Sequence, residues 1–159
     1  MEQKRIADGL KFFTVIVAVV GVVFFLWYAP GLVIRYTAFV PRAEALKWPG
    51  LIVVWVIGFL CYIALWEFWR ICTRIGSDNS FCQKNARSMQ NIALMAFLAA
   101  VLMLIAGITL ACCGLLVRLA AVKLFFLIFV ACGLGVLCLA LARLVETAAK
   151  LKEENDLTI

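Results

Sequence analysis

The residues of this chain with the widest range of chemistry are its seven cysteines. A membrane thiol oxidoreductase needs a paired Cys-x-x-Cys motif, and the sequence contains none. Cys72 and Cys82 flank a polar loop, where a redox sensor or a lipidation site would be accessible. The other five lie in apolar runs, where cysteine behaves as a small hydrophobic residue: Cys61, Cys112, Cys113, Cys132 and Cys138. The pattern favours structural thiols, with a redox role for Cys72 and Cys82 as an alternative.

Other common catalytic groups are scarce. The sequence has no histidine, which removes the commonest general base and metal ligand. It has no glycine-rich phosphate loop, because Gly133-Leu134-Gly135 lies inside an apolar run. Glu67 is the one carboxylate inside an apolar segment, and a pair with Arg70 at i,i+3 would account for it. We therefore expect a non-enzymatic protein with no catalytic residues, no cofactor and no metal site.

The composition places these residues in a membrane. Of the 159 residues, 67% are hydrophobic and 15% are charged, against about 25% charged in a typical soluble domain. Four segments are long and apolar enough to cross the hydrocarbon core as helices: residues 12–34, 49–68, 92–117 and 124–142. The first is too long for a signal peptide and lacks a cleavage site. We predict one all-α domain over residues 1–159, a membrane bundle of four transmembrane helices.

The distribution of positive charge indicates how the spans are oriented. Ten of the 15 Lys and Arg residues lie before the first span, between the second and third spans, or after the fourth. Because loops rich in Lys and Arg stay on the cytoplasmic side, both termini and the middle loop are predicted to be cytoplasmic. The net charge of +6 is concentrated at helix ends, facing anionic headgroups. Direct nucleic-acid binding is therefore not expected.

Prolines and small residues predict how the spans bend and pack. Pro30 should kink or end the first span, and Pro41 and Pro49 argue against one continuous helix over residues 35–48. Small residues spaced by four allow close helix approach, and we assign four of them to the contact between the third and fourth spans: Gly107, Ala111, Ala131 and Gly135.

The middle loop, residues 69–91, is the most informative polar stretch. Gly76-Ser77-Asp78-Asn79 should break the second helix, and Ser80 with Gln83 fits a capping box at the start of the third. This helix is therefore predicted to begin about two to three turns before the bilayer. The residues of its first turns that we expect at a contact surface are Phe81, Lys84, Asn85 and Arg87.

The fourth helix is predicted to outrun the membrane and form a cytoplasmic extension over residues 143–159. A helix over residues 124–155 would be about 48 Å long, against about 30 Å of hydrocarbon. Glu146 and Lys150 should pair at i,i+4. Three residues of the extension would share one apolar face: Leu144, Ala148 and Leu151.

The end of this extension is acidic. Glu153, Glu154 and Asp156 oppose the dipole at a helix C-terminus, so they are not there to stabilise the helix end. We expect them either to clip the tail to Lys84 and Arg87 of the third helix or to bind a partner. The two roles are compatible.

Two stretches together resemble one protein family. The Phe81-x-x-x-Asn85 signature and the ending Glu153-Glu154-Asn155-Asp156-Leu157-Thr158-Ile159 are similar to those of the domain of unknown function 2975 family. In that family the sequence ahead of the Phe is closer to Gly-x-Pro, where this chain has Asn79-Ser80. The resemblance implies a bacterial four-span protein of the inner membrane, with no established activity. Members are often encoded beside a small cytoplasmic helix-turn-helix protein, which implies a regulator as the partner.

We therefore expect a membrane protein whose middle loop and tail dock or restrain a small cytoplasmic regulator of the helix-turn-helix type. The residues assigned to this surface are Phe81, Lys84, Asn85, Arg87, Glu153, Glu154, Asn155, Asp156 and Leu157. Two alternatives stay open. One is an immunity factor against a membrane-active peptide, acting through the external loop over residues 35–48, and the other is a membrane thiol redox protein. The expected partners are the lipid bilayer and this regulator. The sequence leaves open whether the chain also forms a homo-oligomer.

Overall fold

The computed structural model describes residues 2–76 and 82–156, with side chains described over 5–76 and 82–152. Every regular element in these ranges is helical. The order is α1 Glu2–Val23, a π-helical segment Phe24–Tyr28, α2 Ala29–Phe39, a 3-10 segment Pro41–Leu46, α3 Lys47–Ile75, α4 Gln83–Cys112 and α5 Arg118–Asp156. Four helical stretches in these ranges are long and apolar enough to cross a membrane: Arg5–Phe39, Pro41–Ile75, Gln83–Cys112 and Arg118–Lys152. The predicted all-α bundle of four transmembrane helices is confirmed.

The four spans pack in chain order, each antiparallel to the next. α1 packs on α3, α3 on α4, and α4 on α5. Across the described ranges, no Cα pair within 8 Å joins α1 to α4 or α5, or α3 to α5. Each span therefore keeps a broad face for lipid. The residues buried between the spans are mostly small, as expected where helices associate by close packing inside lipid: Ala86, Ala93, Ala99, Ala100, Ala142 and Ala149.

Two glycines set the contact between α4 and α5. A Cβ atom at Gly107 would lie 2.5 Å from Leu124 Cδ2, and one at Gly135 would lie 2.9 Å from the Phe97 ring. Carbon atoms pack best at about 3.5–4.0 Å, so neither position accepts a side chain unless its neighbour moves. The assignment of Gly107 and Gly135 to the contact between the last two spans is confirmed.

Pro30 does not end the first span. The helix widens into the π-helical segment immediately before Pro30 and then resumes as α2. A wider turn accommodates a residue that lacks a backbone N–H and whose ring crowds the carbonyl of the preceding turn. The same segment seats Phe25 against α3, where a Cβ atom at Gly58 would lie 2.9 Å from the Phe25 ring.

The first and second spans are separated by a single non-helical residue. Val40 has φ −127° and ψ 84°, outside the helical region, while helical structure runs up to Phe39 and restarts at Pro41. The predicted external loop over residues 35–48 is therefore largely helical. Pro41 begins the 3-10 segment and Pro49 lies in the first turn of α3, positions where the missing N–H of proline breaks no helical hydrogen bond.

The start of α4 differs from its prediction. α4 begins at Gln83, and its N-cap is Cys82 in an extended conformation, without a side-chain cap bond. Ser80, the predicted N-cap, lies outside the described residues. The N-cap therefore lies two residues later than predicted, and the capping box between Ser80 and Gln83 falls on a residue outside the described ranges, so it stays a prediction.

α4 ends in a Schellman motif, a standard helix terminus built on a left-handed residue. Gly114 has φ 66°, its N–H donates to the Ala111 carbonyl at 2.9 Å, and the Leu115 N–H donates to the Leu110 carbonyl at 2.9 Å. α5 begins at Arg118, so the two helices form the predicted antiparallel hairpin. The sharp turn needs Gly114 because a glycine adopts positive φ without steric cost.

A side chain of α2 closes this end of the bundle. The Tyr36 hydroxyl donates a hydrogen bond to the Leu115 carbonyl. This bond links the first span to the α4–α5 turn, although α1 itself stays apart from α4 and α5.

Candidate functional site at the loop face

One end of the bundle, termed here the loop face, collects the start of α1, the α3–α4 connection and the end of α5. At the end of α3, a Cβ atom placed on Gly76 would lie 3.2 Å from Ala7 Cβ of α1. Lys11 Nζ lies 5.9 Å from the centroid of the Trp69 ring, a cation–π distance. These contacts bring the start of the first span beside the middle loop.

Arg74, in the last turn of α3, binds the first turns of α4. Its Nη1 donates to the Lys84 carbonyl at 3.0 Å, to Asn85 Oδ1 at 3.2 Å and to Ser88 Oγ at 2.9 Å. Asn85 is 1% exposed, and Ser88 is also buried. A guanidinium suits this position because it is permanently charged and holds its donors in a fixed plane. Arg74 therefore ties the ends of α3 and α4 together across their connection.

Glu67, about two turns earlier on α3, makes a second polar contact with α4. Its Oε1 accepts hydrogen bonds from Arg70 Nη1 at 3.3 Å and from Asn91 Nδ2 at 3.1 Å. Glu67 is 8% exposed, and its Oε2 has no hydrogen-bond partner among the described residues. The predicted pair with Arg70 is confirmed, and the link to Asn91 is an addition that sequence analysis missed.

These interactions form one polar seam between α3 and α4, defined here as Glu67, Arg70, Arg74, Asn85, Ser88 and Asn91. Its α4 members, Asn85, Ser88 and Asn91, follow one another at a spacing of three, which keeps them on adjoining positions of one helix face. That spacing is visible in the sequence and could have indicated a polar line. The partner of each side chain could not be read there, because it depends on the register between α3 and α4.

The polar seam stabilises the loop face because its groups are costly to bury alone. A hydrogen bond to a charged group contributes about 1.5–3 kcal/mol, and leaving a buried charge without its partner costs about 3–5 kcal/mol. Its donors and acceptors are mainly engaged with one another rather than directed at an open cavity. The arrangement is therefore suited to holding the start of α4 in place.

The docking residues predicted on α4 divide into exposed and buried side chains. Lys84 and Arg87 are exposed. Asn85 belongs to the polar seam, and at 1% exposure it is not accessible to a partner in this conformation. The helical period explains the division, since consecutive residues are rotated by about 100° around the axis. Phe81 and Leu157 lie outside the described residues.

The acidic residues predicted at the tail close α5. The helix runs unbroken to Asp156, so Glu153, Glu154, Asn155 and Asp156 form its last turn. Their side chains lie outside the described part of the chain, and both the tail clip and the docking role stay predictions.

The α4–α5 register shows what a tail clip would require. The contacts of Gly107 with Leu124 and of Gly135 with Phe97 fix which residues of α4 and α5 lie at the same height. Continued along both helices, this register places Lys84 level with about Thr147. Residue 153 lies six residues further along α5, or about 9 Å at 1.5 Å per residue. The last turn therefore projects past the start of α4, and a clip to Lys84 must cover that distance.

α5 outruns the membrane as predicted. Its 39 residues span about 58 Å, against about 30 Å of hydrocarbon. The predicted pair between Glu146 and Lys150 is confirmed, with Oε1 and Nζ 3.1 Å apart.

The extension leaves an apolar strip uncovered. Ala142 and Ala149 are buried, while Leu144 and Leu151 are 67% and 62% exposed. Residues seven apart lie on the same side of a helix, so the two alanines share one side and the two leucines share another. The two sides are opposite each other because Leu144 is rotated by about 200° from Ala142 around the helix axis. Leu144 and Leu151 therefore face away from the packed side of α5, while Ala148 beside them is half-buried. These three residues are termed here the α5 strip.

The cysteines are all free thiols. Cys72 is 0% exposed, and Cys82 is the N-cap of α4. Cys112 and Cys113 are exposed at the other end of α4. Over the described ranges, no group of three or more His, Cys, Asp or Glu side chains is placed to hold a metal ion. Burial shields Cys72 from solution, and the redox alternative stays a prediction.

Comparison with known proteins places the chain in a family. Residues 31–159 match the family described as Protein of unknown function (DUF2975). No curated protein and no solved structure is significantly similar to the chain. The match includes α3, α4, α5 and the polar seam, and it covers well over half of the sequence. The family indicated by the Phe81-x-x-x-Asn85 signature and the acidic ending is confirmed, and the chain belongs to the DUF2975 family of proteins of unknown function.

Proposed function

We propose that this chain is a non-enzymatic integral membrane protein whose loop face binds and restrains a small cytoplasmic regulator of the helix-turn-helix type. The observation that carries the proposal is the unbroken extension of α5, which leaves Leu144 and Leu151 67% and 62% exposed. Two leucines seven residues apart lie on one line of a helix. Such a line is the anchor pattern by which one helix docks in the groove of a partner.

The charge of the extension favours a basic partner. The last turn of α5 carries no basic residue and holds Glu153, Glu154 and Asp156. The helix C-terminus adds a partial negative charge. A nucleic-acid-binding regulator presents a basic face, so its charge would complement this end of α5 and speed their association.

The polar seam supports the proposal by fixing the surface beside α5. Arg74 holds the first turns of α4 through bonds to Lys84, Asn85 and Ser88. Lys84 and Arg87 are thereby presented on an ordered helix rather than on a mobile loop. A preorganised surface loses less conformational entropy when a partner binds.

The proposal includes the orientation and the membrane. Ten of the 15 Lys and Arg residues lie at the loop face or next to the chain termini, and positive charge favours the cytoplasmic side. We therefore place the loop face and both termini in the cytoplasm, with the four spans in a bacterial inner membrane.

Co-purification tests the proposal. The full chain with an affinity tag is expressed together with any small helix-turn-helix protein whose gene adjoins its own, and it is purified in detergent. Deletion of residues 153–159 and the Leu151→Asp variant are each expected to reduce partner recovery about tenfold, the effect of losing one interface anchor. Phe39→Asp is the matched control, since Phe39 is an apolar residue at the end of α2, opposite the loop face, and is 90% exposed. Unchanged recovery with both α5 variants, at normal membrane insertion, would refute the docking role.

A further inference from the structure

An apolar groove lies between α4 and α5 at the end of the bundle opposite the loop face. Its volume is about 250 Å³, larger than the engineered apolar cavities of about 150 Å³ that bind benzene. All nine residues that line it are apolar, among them Ile108 and Ala111 of α4 and Ala121, Phe125 and Ile128 of α5. The groove is open on its side, toward the lipid.

Small side chains create this groove. Gly107 brings the two helices close at Leu124, where a Cβ atom would lie 2.5 Å from Leu124 Cδ2. Ala111 and Ala121 line the groove nearer the α4–α5 turn, and their methyl groups are too short to fill the space between the helix backbones. The groove is thus a consequence of the same close packing that holds the hairpin together.

The surroundings decide what fills the groove. Water is a poor occupant because it needs two to four polar partners, and the lining residues offer no polar side chain. An empty groove would forfeit dispersion contacts along its walls. A lipid acyl chain is apolar, is present at high concentration along this surface, and enters from the open side.

Positive charge at the mouth selects the headgroup. Arg118 is exposed and precedes Ala121, Phe125 and Ile128 at spacings of three, four and three, so it lies on the groove side of α5. Lys123 is exposed as well, but it is rotated by about 200° from Ala121 and lies on the far side of α5 from the groove. Residues 83–145 contain no Asp or Glu, so no acidic side chain of this hairpin neutralises either charge. Arginine binds phosphate oxygens through paired donors.

We propose that the groove binds one acyl chain of an anionic phospholipid, with Arg118 binding its phosphate. The lipid belongs to the leaflet that contains the α4–α5 turn. This site is distinct from the loop face, and it stands whether or not a regulator docks there.

Native mass spectrometry of the detergent-purified full chain tests the proposal, with phosphatidylglycerol and phosphatidylcholine titrated separately. The dissociation constant for the first bound lipid is expected to be about fivefold lower for phosphatidylglycerol, which corresponds to about 1 kcal/mol for one basic residue at the headgroup. Arg118→Gln should abolish this preference. Arg42→Gln, the matched control with the same change in charge in the 3-10 segment, should retain it.

The acyl-chain part of the site needs its own variant. Ala111→Phe fills the groove and should weaken binding of the first lipid of either type about tenfold, because the acyl chain can no longer bury its apolar surface there. Ala140→Phe, on an exposed position of α5 away from the groove, is the matched control and should bind as the original chain does. Equal affinities for the two lipids in the original chain, or an Ala111→Phe variant indistinguishable from Ala140→Phe, would overturn the proposal. Arg118→Gln alters only an exposed side chain, so it decides the headgroup question even if Ala111→Phe misfolds.

Discussion

Arg74 Nη1 of α3 lies 2.9 Å from Ser88 Oγ of α4, fourteen positions further along the chain. This bond crosses the connection between the two helices, and the same nitrogen reaches the Lys84 carbonyl and Asn85 Oδ1. One side chain therefore serves three acceptors on the first turns of α4. The position of this helix start depends on a residue of the preceding span.

Replacing Arg74 should loosen the loop face. Arg74→Met keeps most of the side-chain volume but leaves buried acceptors without their donor, so we expect the free energy of unfolding to fall by about 3 kcal/mol. Detergent unfolding followed by helical circular dichroism measures this change. Arg87→Met is the control, since Arg87 is exposed on α4 and should change stability by less than about 0.5 kcal/mol. Equal losses for the two variants would contradict the role assigned to Arg74.

Glu67 should tolerate loss of charge better than loss of its acceptor. Glu67→Gln keeps an oxygen that accepts from Asn91 and loses the ion pair with Arg70. Because the Arg70 side chain is half exposed, this ion pair contributes about 1 kcal/mol or less to stability. Glu67→Ala removes the acceptor and leaves a cavity, so it should cost about 2–3 kcal/mol. The same unfolding assay compares them. A Gln variant as unstable as the Ala variant would mean that the charge itself is required.

Two glycine-to-alanine substitutions should change the free energy of unfolding in opposite directions. Gly58→Ala places a methyl group 2.9 Å from the Phe25 ring, and this overpacking should destabilise the chain by about 1–3 kcal/mol. Gly133→Ala meets nothing within 4 Å, so it should stabilise α5 by about 0.5–1 kcal/mol through helix propensity. Thermal unfolding in one detergent gives both values. The packing account fails if both variants shift the midpoint in the same direction.

Thiol labelling should reveal the orientation. A cysteine-free chain with Arg42→Cys, at an exposed position of the 3-10 segment away from the loop face, should react with a membrane-impermeant maleimide on intact cells. A cysteine-free chain with Lys152→Cys should react only after the cells are opened, because the end of α5 is predicted to be cytoplasmic. The reverse pattern would place the loop face outside and remove the basis for a cytoplasmic partner.

Sequence reasoning succeeded where a property is local. The i,i+3 pair of Glu67 with Arg70 and the i,i+4 pair of Glu146 with Lys150 were predicted and confirmed, because both partners lie on one helix with a known period. The assignment of Gly107 to the α4–α5 contact also succeeded, because a hairpin leaves little choice of neighbour.

It was less successful where neighbouring elements compete with a local signal. Pro30 was predicted to kink or end the span, and the span continues past it through a π-helical segment. The N-cap of α4 is Cys82 rather than the predicted Ser80. The identity of a single residue predicts only the local backbone conformation that this residue prefers. Packing of the surrounding helix determines whether that preference is met.

By itself the sequence determined that this chain crosses a membrane four times and that its last helix outruns the bilayer. The length and hydrophobicity of a segment can be read directly from its consecutive residues. The tertiary structure alone decided that Asn91 meets Glu67, that Ser88 meets Arg74, and that Leu144 and Leu151 stay uncovered. Those outcomes depend on the register and rotation of one helix against the next. Register and rotation are fixed by glycine contacts and buried hydrogen bonds between residues far apart in the chain.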